Sequence, residues 1–199
     1  MDMIFRWVLL GYFVLFIVVA LLYRTYRVYK NTGINALKQK PQERSLKLLA
    51  AALKVHFVLI VGLIVDHSFN LGVLTTNRFE WLDSTFTSSI GAVLLCISLP
   101  VIVLSQVQMS SSWRIEVDSQ TNNELITLGL FKYSRNPIFL AIRTSYFAMF
   151  LVVPCPYSLA VFIFGDVCFM IQVYKEEQAL KQVYGADYQH YCARVPRWI

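Results

Sequence analysis

The chain has 199 residues, 57% of them hydrophobic and only 15% charged, with a mean hydropathy of +0.54. A soluble domain is nearer half apolar and a quarter charged, and the excess here lies in long runs, so an ordinary soluble domain is excluded and a multi-pass integral membrane protein is predicted. The net charge of +6 sits beside those runs, which assigns it to membrane topology and argues against nucleic acid as a partner.

The first predicted span is Ile4 to Tyr23, retained because no small-residue cleavage site follows it. Arg24 to Lys47 then carries Arg24, Arg27, Lys30, Lys38, Lys40, Arg44 and Lys47 against Glu43 alone, the mark of a cytoplasmic loop. The second span, Leu48 to Val65, contains Lys54, close enough to its end to snorkel, and His56. Asp66 to Thr85 is expected on the other side of the membrane. The third span, Phe86 to Val107, contains Pro100, which is expected to kink it. A polar loop, 108–136, leads to the fourth span, Pro137 to Val153. A Pro-Cys-Pro turn and the fifth span, Tyr157 to Tyr174, follow, and the tail, 175–199, starts as a short helix. Fourteen lysines and arginines fall in the segments 24–47, 108–136 and 175–199, against Arg6 and Arg78 on the other side. This bias predicts an all-α integral membrane protein of five transmembrane helices. Its N-terminus is outside, its C-terminus is cytoplasmic, and its last two spans form a tight hairpin followed by a short cytoplasmic helix.

Cys96, Cys155, Cys168 and Cys192 form no CxxC pair, and His56, His67 and His190 are far apart. No disulfide framework or metal site is expected. Two ionisable residues lie deep within spans, Arg143 and Asp166. They are about equally distant from the turn near Cys155, so they match in depth and are expected to pair between helices. The pair is either a purely structural clamp or, with Arg143 one turn beyond Phe139, the floor of a ligand cavity.

The stretch from Asn122 to Leu140 gathers Gly129, Lys132 and Arg135 and then enters an apolar run at Pro137. Asn136 is placed as N-cap and Pro137 as first helical residue, so a cationic loop feeds a helix start suited to an anionic group. On the fifth span, Gly165, Phe169, Gln172 and Glu176 share one helical face, with Glu177 adjacent. The charge count puts this carboxylate end and the 122–136 loop on one side, where a zwitterion fits between them.

The ordered set Ser112-Trp113, Leu125 to Phe131, Arg135 to Phe139, Glu176-Glu177 with Leu180, Tyr184 to Tyr191 and Val195-Pro196-Arg197 resembles the isoprenylcysteine carboxyl methyltransferase family. That family also holds phospholipid N-methyltransferase relatives and small prokaryotic members. The resemblance covers roughly residues 105–197 and implies S-adenosylmethionine as methyl donor. It divides the chain into three N-terminal spans, 1–107, and a cofactor-binding methyltransferase-like region, 108–199. It implies a cofactor pocket lined by Asn123, Glu124, Leu125, Ile126, Gly129, Phe131, Arg135, Asn136, Pro137, Ile138 and Phe139, with Glu176 and Glu177 at the amino end. Asn136 stands where the family usually has histidine, Phe131 and Phe139 where it has tyrosine, and Gln172 where it has a substrate-side arginine. Gln172 and Arg143 are the expected catalytic, acceptor-side residues. The implied reaction is in-line displacement at a sulfonium methyl by a small lipophilic or prenylated acceptor entering from the bilayer, with a carboxylate as one candidate. The rivals are a non-catalytic family member and an NADPH-dependent reductase of the sterol-reductase type.

Overall fold

A computed structural model describes residues 2–32, 43–109 and 125–199. The described residues are helical and loop, with no strand among them. Six α-helices carry the fold: α1 (Asp2–Leu15), α2 (Arg24–Thr32), α3 (Arg44–Phe69), α4 (Thr85–Gln108), α5 (Pro137–Val152) and α6 (Pro156–Arg194). A π-helical segment, Phe16–Tyr23, joins α1 to α2 without a break.

Four of these helical stretches, Met3–Arg27, Arg44–Phe69, Thr85–Gln108 and Pro156–Arg194, are long and apolar enough to cross a membrane. The expected fourth span, α5, is apolar but has only 16 residues, about 24 Å at 1.5 Å per residue, less than the ~30 Å bilayer core. The turn residues Val153 to Cys155 end it early, and Pro156 then starts α6 with Cys155 and Ser158 forming a reciprocal cap.

Helix boundaries run past the predicted spans. The first helix continues to Thr32 because no glycine or proline interrupts Arg24 to Thr32, so the basic segment starts as helix rather than loop. α6 runs on past Tyr174 to a kink at Gly185 (φ 53°, ψ −117°), and the short tail helix is the piece that follows it to Arg194 rather than the residues directly after the span. α4 runs through Pro100 as one helix.

The packing is that of a membrane bundle. Val18, Val58, Val93, Ile97, Ile163 and Val167 point outward and are exposed, an apolar belt far too extensive for water. Inside, Leu9, Leu63, Leu95, Met149, Val152 and Val161 form one core drawn from α1, α3, α4, α5 and α6. α4 and α5 come close at Gly91, where a Cβ would lie 2.8 Å from the Ala148 carbonyl oxygen, the close crossing that small residues permit between membrane helices. Polar groups inside are paired with each other: Tyr12, Ser98 and Ser145 bond mutually across α1, α4 and α5. Gln106 Nε2 donates to the Ala20 carbonyl in the π-helical segment at 3.1 Å.

The two ends of the bundle are tied separately. At one end Arg6 bonds Asn70 at 2.8 Å, and the 70–84 loop meets the α5–α6 turn through Phe79 N–H to Pro154 O (2.8 Å) and Arg78 to Val152 O (3.0 Å). At the other end Lys175 of α6 pairs with Glu43 before α3 at 2.8 Å, and the residue 125–136 loop meets 195–198. The segments expected together by charge therefore do share one end.

Candidate active site

The site is built where the loop before α5 meets the far part of α6. Leu125 enters beside Tyr188, Tyr191 and Val195 in a small apolar cluster. A single 3₁₀ turn, Gly129–Lys132, follows and buries Phe131. Two contacts fix this turn: Gln108 Oε1 accepts from Leu130 N–H at 2.8 Å, and the Tyr191 hydroxyl donates to the Phe131 carbonyl at 2.6 Å. Gly129 has φ +64°, and a Cβ there would collide with the Gln108 side-chain amide. Gly129→Ala is therefore expected to lower stability by about 1–3 kcal/mol, through left-handed strain and the displaced Gln108 bond, read as a fall in thermal midpoint in detergent.

Asn136 occupies the N-cap position of α5 with Pro137 at the first turn, but its side chain makes no capping bond. Its Nδ2 instead donates to Glu177 Oε1 at 2.9 Å. Glu177 also receives Arg197 through Nε (3.1 Å) and Nη2 (2.6 Å) and has the Arg135 guanidinium at 3.5 Å. Its carboxylate is nearly buried and thus neutralised by two arginines and an amide. The backbone repeats the closure: Arg135 N–H donates to the Pro196 carbonyl at 3.0 Å, and Ser134 Oγ to the Arg197 carbonyl at 3.1 Å.

Glu176, one residue earlier and so turned about 100° around the helix, makes no hydrogen bond or ion pair among the described residues. It lies beyond the apolar part of α6, and burial, reinforced by the Glu177 charge, pushes its carboxyl up to about 7. On the loop side the Arg135 Nε is buried without a partner. An unpaired carboxyl and an unpaired guanidinium N–H thus flank the Glu177 cluster.

Towards the bilayer, Phe139 packs on Phe169 with ring centroids 5.7 Å apart, and Phe169 meets Tyr146 at the same distance. Gly165 abuts the buried His56 ring, whose Nε2 lies 3.0 Å from the Val161 carbonyl. Gln172 is half-buried on this face, between Phe169 and Glu176 in helical order. Further along, the expected Arg143–Asp166 pair forms, with Nη2 to Oδ2 at 3.2 Å and a second bond from Nε to Oδ1. The Arg143 guanidinium carbon also lies 4.5 Å from the Trp198 ring centroid.

The structure joins Arg135 and Asn136 to Glu177, Phe131 to Tyr191 and Leu125 to the Tyr188–Tyr191 cluster, with Gly129 and Pro137 adjoining them in sequence, Glu176 next to Glu177 on α6, and Phe139 packed on Phe169. Ile126 and Ile138 are half-buried beside them in sequence, whereas Asn123, Glu124 and the Ser112-Trp113 pair lie outside the described residues. Arg197, Trp198, Tyr191, Ser134 and Gln108 were assigned no role from sequence. For Arg197 the cues were its charge and its place in the Val195-Pro196-Arg197 motif, neither of which names Glu177 as its partner.

The phospholipid methyltransferase family model matches residues 86–187, from the start of α4 to just past Gly185. No curated protein matches the sequence. With the match covering just over half its length, the chain belongs to the phospholipid methyltransferase family, which is related to the isoprenylcysteine carboxyl methyltransferases.

Proposed function

We propose that the protein is an S-adenosylmethionine-dependent methyltransferase that modifies a lipid acceptor reached from within the bilayer. The carrying observation is the charge arrangement at the loop–α6 junction: an unpaired Glu176 carboxyl and an unpaired Arg135 Nε beside a Glu177 that Arg197 and Asn136 already satisfy. The residues fit an amino-acid-like zwitterion, with Glu176 facing the ammonium and Arg135 the carboxylate. When bound, the cofactor supplies an electrophilic methyl group on a sulfonium.

The protein's own contribution is placement and exclusion of water. Phe131, Phe139 and Phe169 give the apolar walls, and the 3₁₀ turn with Gly129 lets backbone come close. Gln172 and Arg143 face the acceptor. The family match supports a phospholipid headgroup over a prenylated carboxylate as acceptor; its amine would attack the methyl as the free base, having given its proton to solvent, and Gln172 in place of an arginine supplies no cation for a carboxylate. The basic bias supports an orientation with this site on the cytoplasmic side.

Binding carries a pH signature. Glu176 must be ionised to hold the ammonium, and its carboxyl is held up to about 7. Affinity for S-adenosylmethionine is therefore expected to fall as pH drops below about 7 and to level off above it. Calorimetric titration of the purified protein across that range checks this. No binding at any pH would sink the assignment, and binding of NADPH instead would favour the reductase alternative.

A further inference from the structure

The segment 195–199 lies beyond the family match, yet it touches both the loop before α5 and Arg143. Pro196 and Arg197 carbonyls receive Arg135 N–H and Ser134 Oγ, and the Arg197 guanidinium grips both Glu177 oxygens. The next side chain, Trp198, lies on Arg143. Along α6 the Glu177 level and the Asp166 level are eleven residues apart, about 16 Å. Neighbouring residues of the strap therefore link these two levels, Arg197 at Glu177 and Trp198 at Arg143.

The Arg143 end is not a sealed core contact. The side chains of Arg143 and Asp166 remain 25% and 26% exposed, inside a bundle whose outer surface is apolar. A structural clamp is complete with Asp166 alone. The Trp198 ring adds a second hold on the guanidinium, from a segment anchored to the cofactor-side carboxylate.

We infer that Trp198 is a positioning residue: its ring, carried by the 195–199 strap, fixes the Arg143 guanidinium at the acceptor side of the site and walls that side off. This rests on the methyltransferase reading for its acceptor, but the contact itself does not. With Arg143 held between the Asp166 carboxylate and the Trp198 face, the guanidinium presents its remaining N–H groups to a lipid headgroup phosphate, and Arg197 keeps the strap in register with Glu177.

Two measurements on the full chain test it. In the first, methyl transfer to phosphatidylethanolamine in mixed micelles is compared among wild type, Trp198→Ala and Trp198→Phe, with S-adenosylmethionine affinity measured separately by calorimetry. The expected result for Trp198→Ala is an acceptor KM raised roughly tenfold, the scale of one partly desolvated cation–π contact. Cofactor affinity should be unchanged, and Trp198→Phe should restore most of the loss. An unchanged KM, or cofactor affinity falling in step with KM, overturns the inference.

In the second, Trp7, Trp81 and Trp113 are replaced by phenylalanine, leaving Trp198 as sole emitter, and brominated phosphatidylethanolamine vesicles are added without cofactor. Emission should be quenched, and Arg143→Gln should abolish the quenching. Quenching that is absent, or indifferent to Arg143→Gln, overturns the placement of Trp198. Because this readout needs no cofactor, it decides the strap's role even where S-adenosylmethionine binding fails and the methyltransferase reading falls.

Discussion

Replacing Glu176, half-buried on α6, with glutamine is expected to weaken S-adenosylmethionine binding by roughly tenfold or more, since removing one partner of a partly buried charge pair costs less than the several kcal/mol of a fully buried one. The same substitution is expected to stabilise the cofactor-free protein. Glu176 has its carboxyl raised from 4.5 to about 7, first by burial and then by Glu177. A carboxyl that is harder to ionise folded than unfolded costs the folded state stability as pH rises from about 4.5 through about 7. Glutamine removes that loss, so the thermal midpoint at pH 8 should rise.

Glu177→Gln should do the reverse. It leaves Arg135 and Arg197 without the carboxylate they share. The cost is about 2–4 kcal/mol, below the full value for a buried pair because Arg197 is exposed enough for solvent to screen it. Paired calorimetry and thermal unfolding of the two variants separate the roles of these adjacent residues. If Glu177→Gln alone loses cofactor while stability stays level, the roles are exchanged and the assignment fails.

The second large effect concerns the pair within the apolar helices. Asp166→Ala is expected to lower stability by about 2–4 kcal/mol, because Arg143 then keeps only the Trp198 ring in surroundings that disfavour an unpaired cation. Replacing both residues by leucine should be close to neutral for stability, as exchanges of such pairs for apolar groups often are. Methyl transfer by this double variant then decides the role of Arg143. A folded double variant with full acceptor turnover makes the pair a clamp and nothing more; a folded one with impaired acceptor KM makes Arg143 part of the site.

Much of this was legible in the sequence where the physical signal is local or counts along one helix. The Arg143–Asp166 pair could be anticipated because a hairpin with a marked turn fixes depth, and an isolated charge in apolar surroundings needs a partner. The Gly129 turn and the Asn136-Pro137 helix start were readable for the same reason: each is dictated by the conformational preferences of one or two residues. The Asn136 side chain was not readable. Its amide serves Glu177 rather than the helix N–H groups, because a buried carboxylate 41 residues away competes more strongly for a donor than a partly solvated helix end does.

What the sequence by itself determined is the medium, the all-helical class and the segregation of basic segments. Hydropathy and charge act residue by residue, so one chain read in order contains them. Only the tertiary structure decided which of two adjacent carboxylates is satisfied and which is left available. Only it turned residues 195–198 back over the loop, after the break at Gly185, to set Arg197 on Glu177 and Trp198 on Arg143. Such contacts arise from how separate helices pack and where a strap crosses them, and no periodicity along the chain encodes that distance.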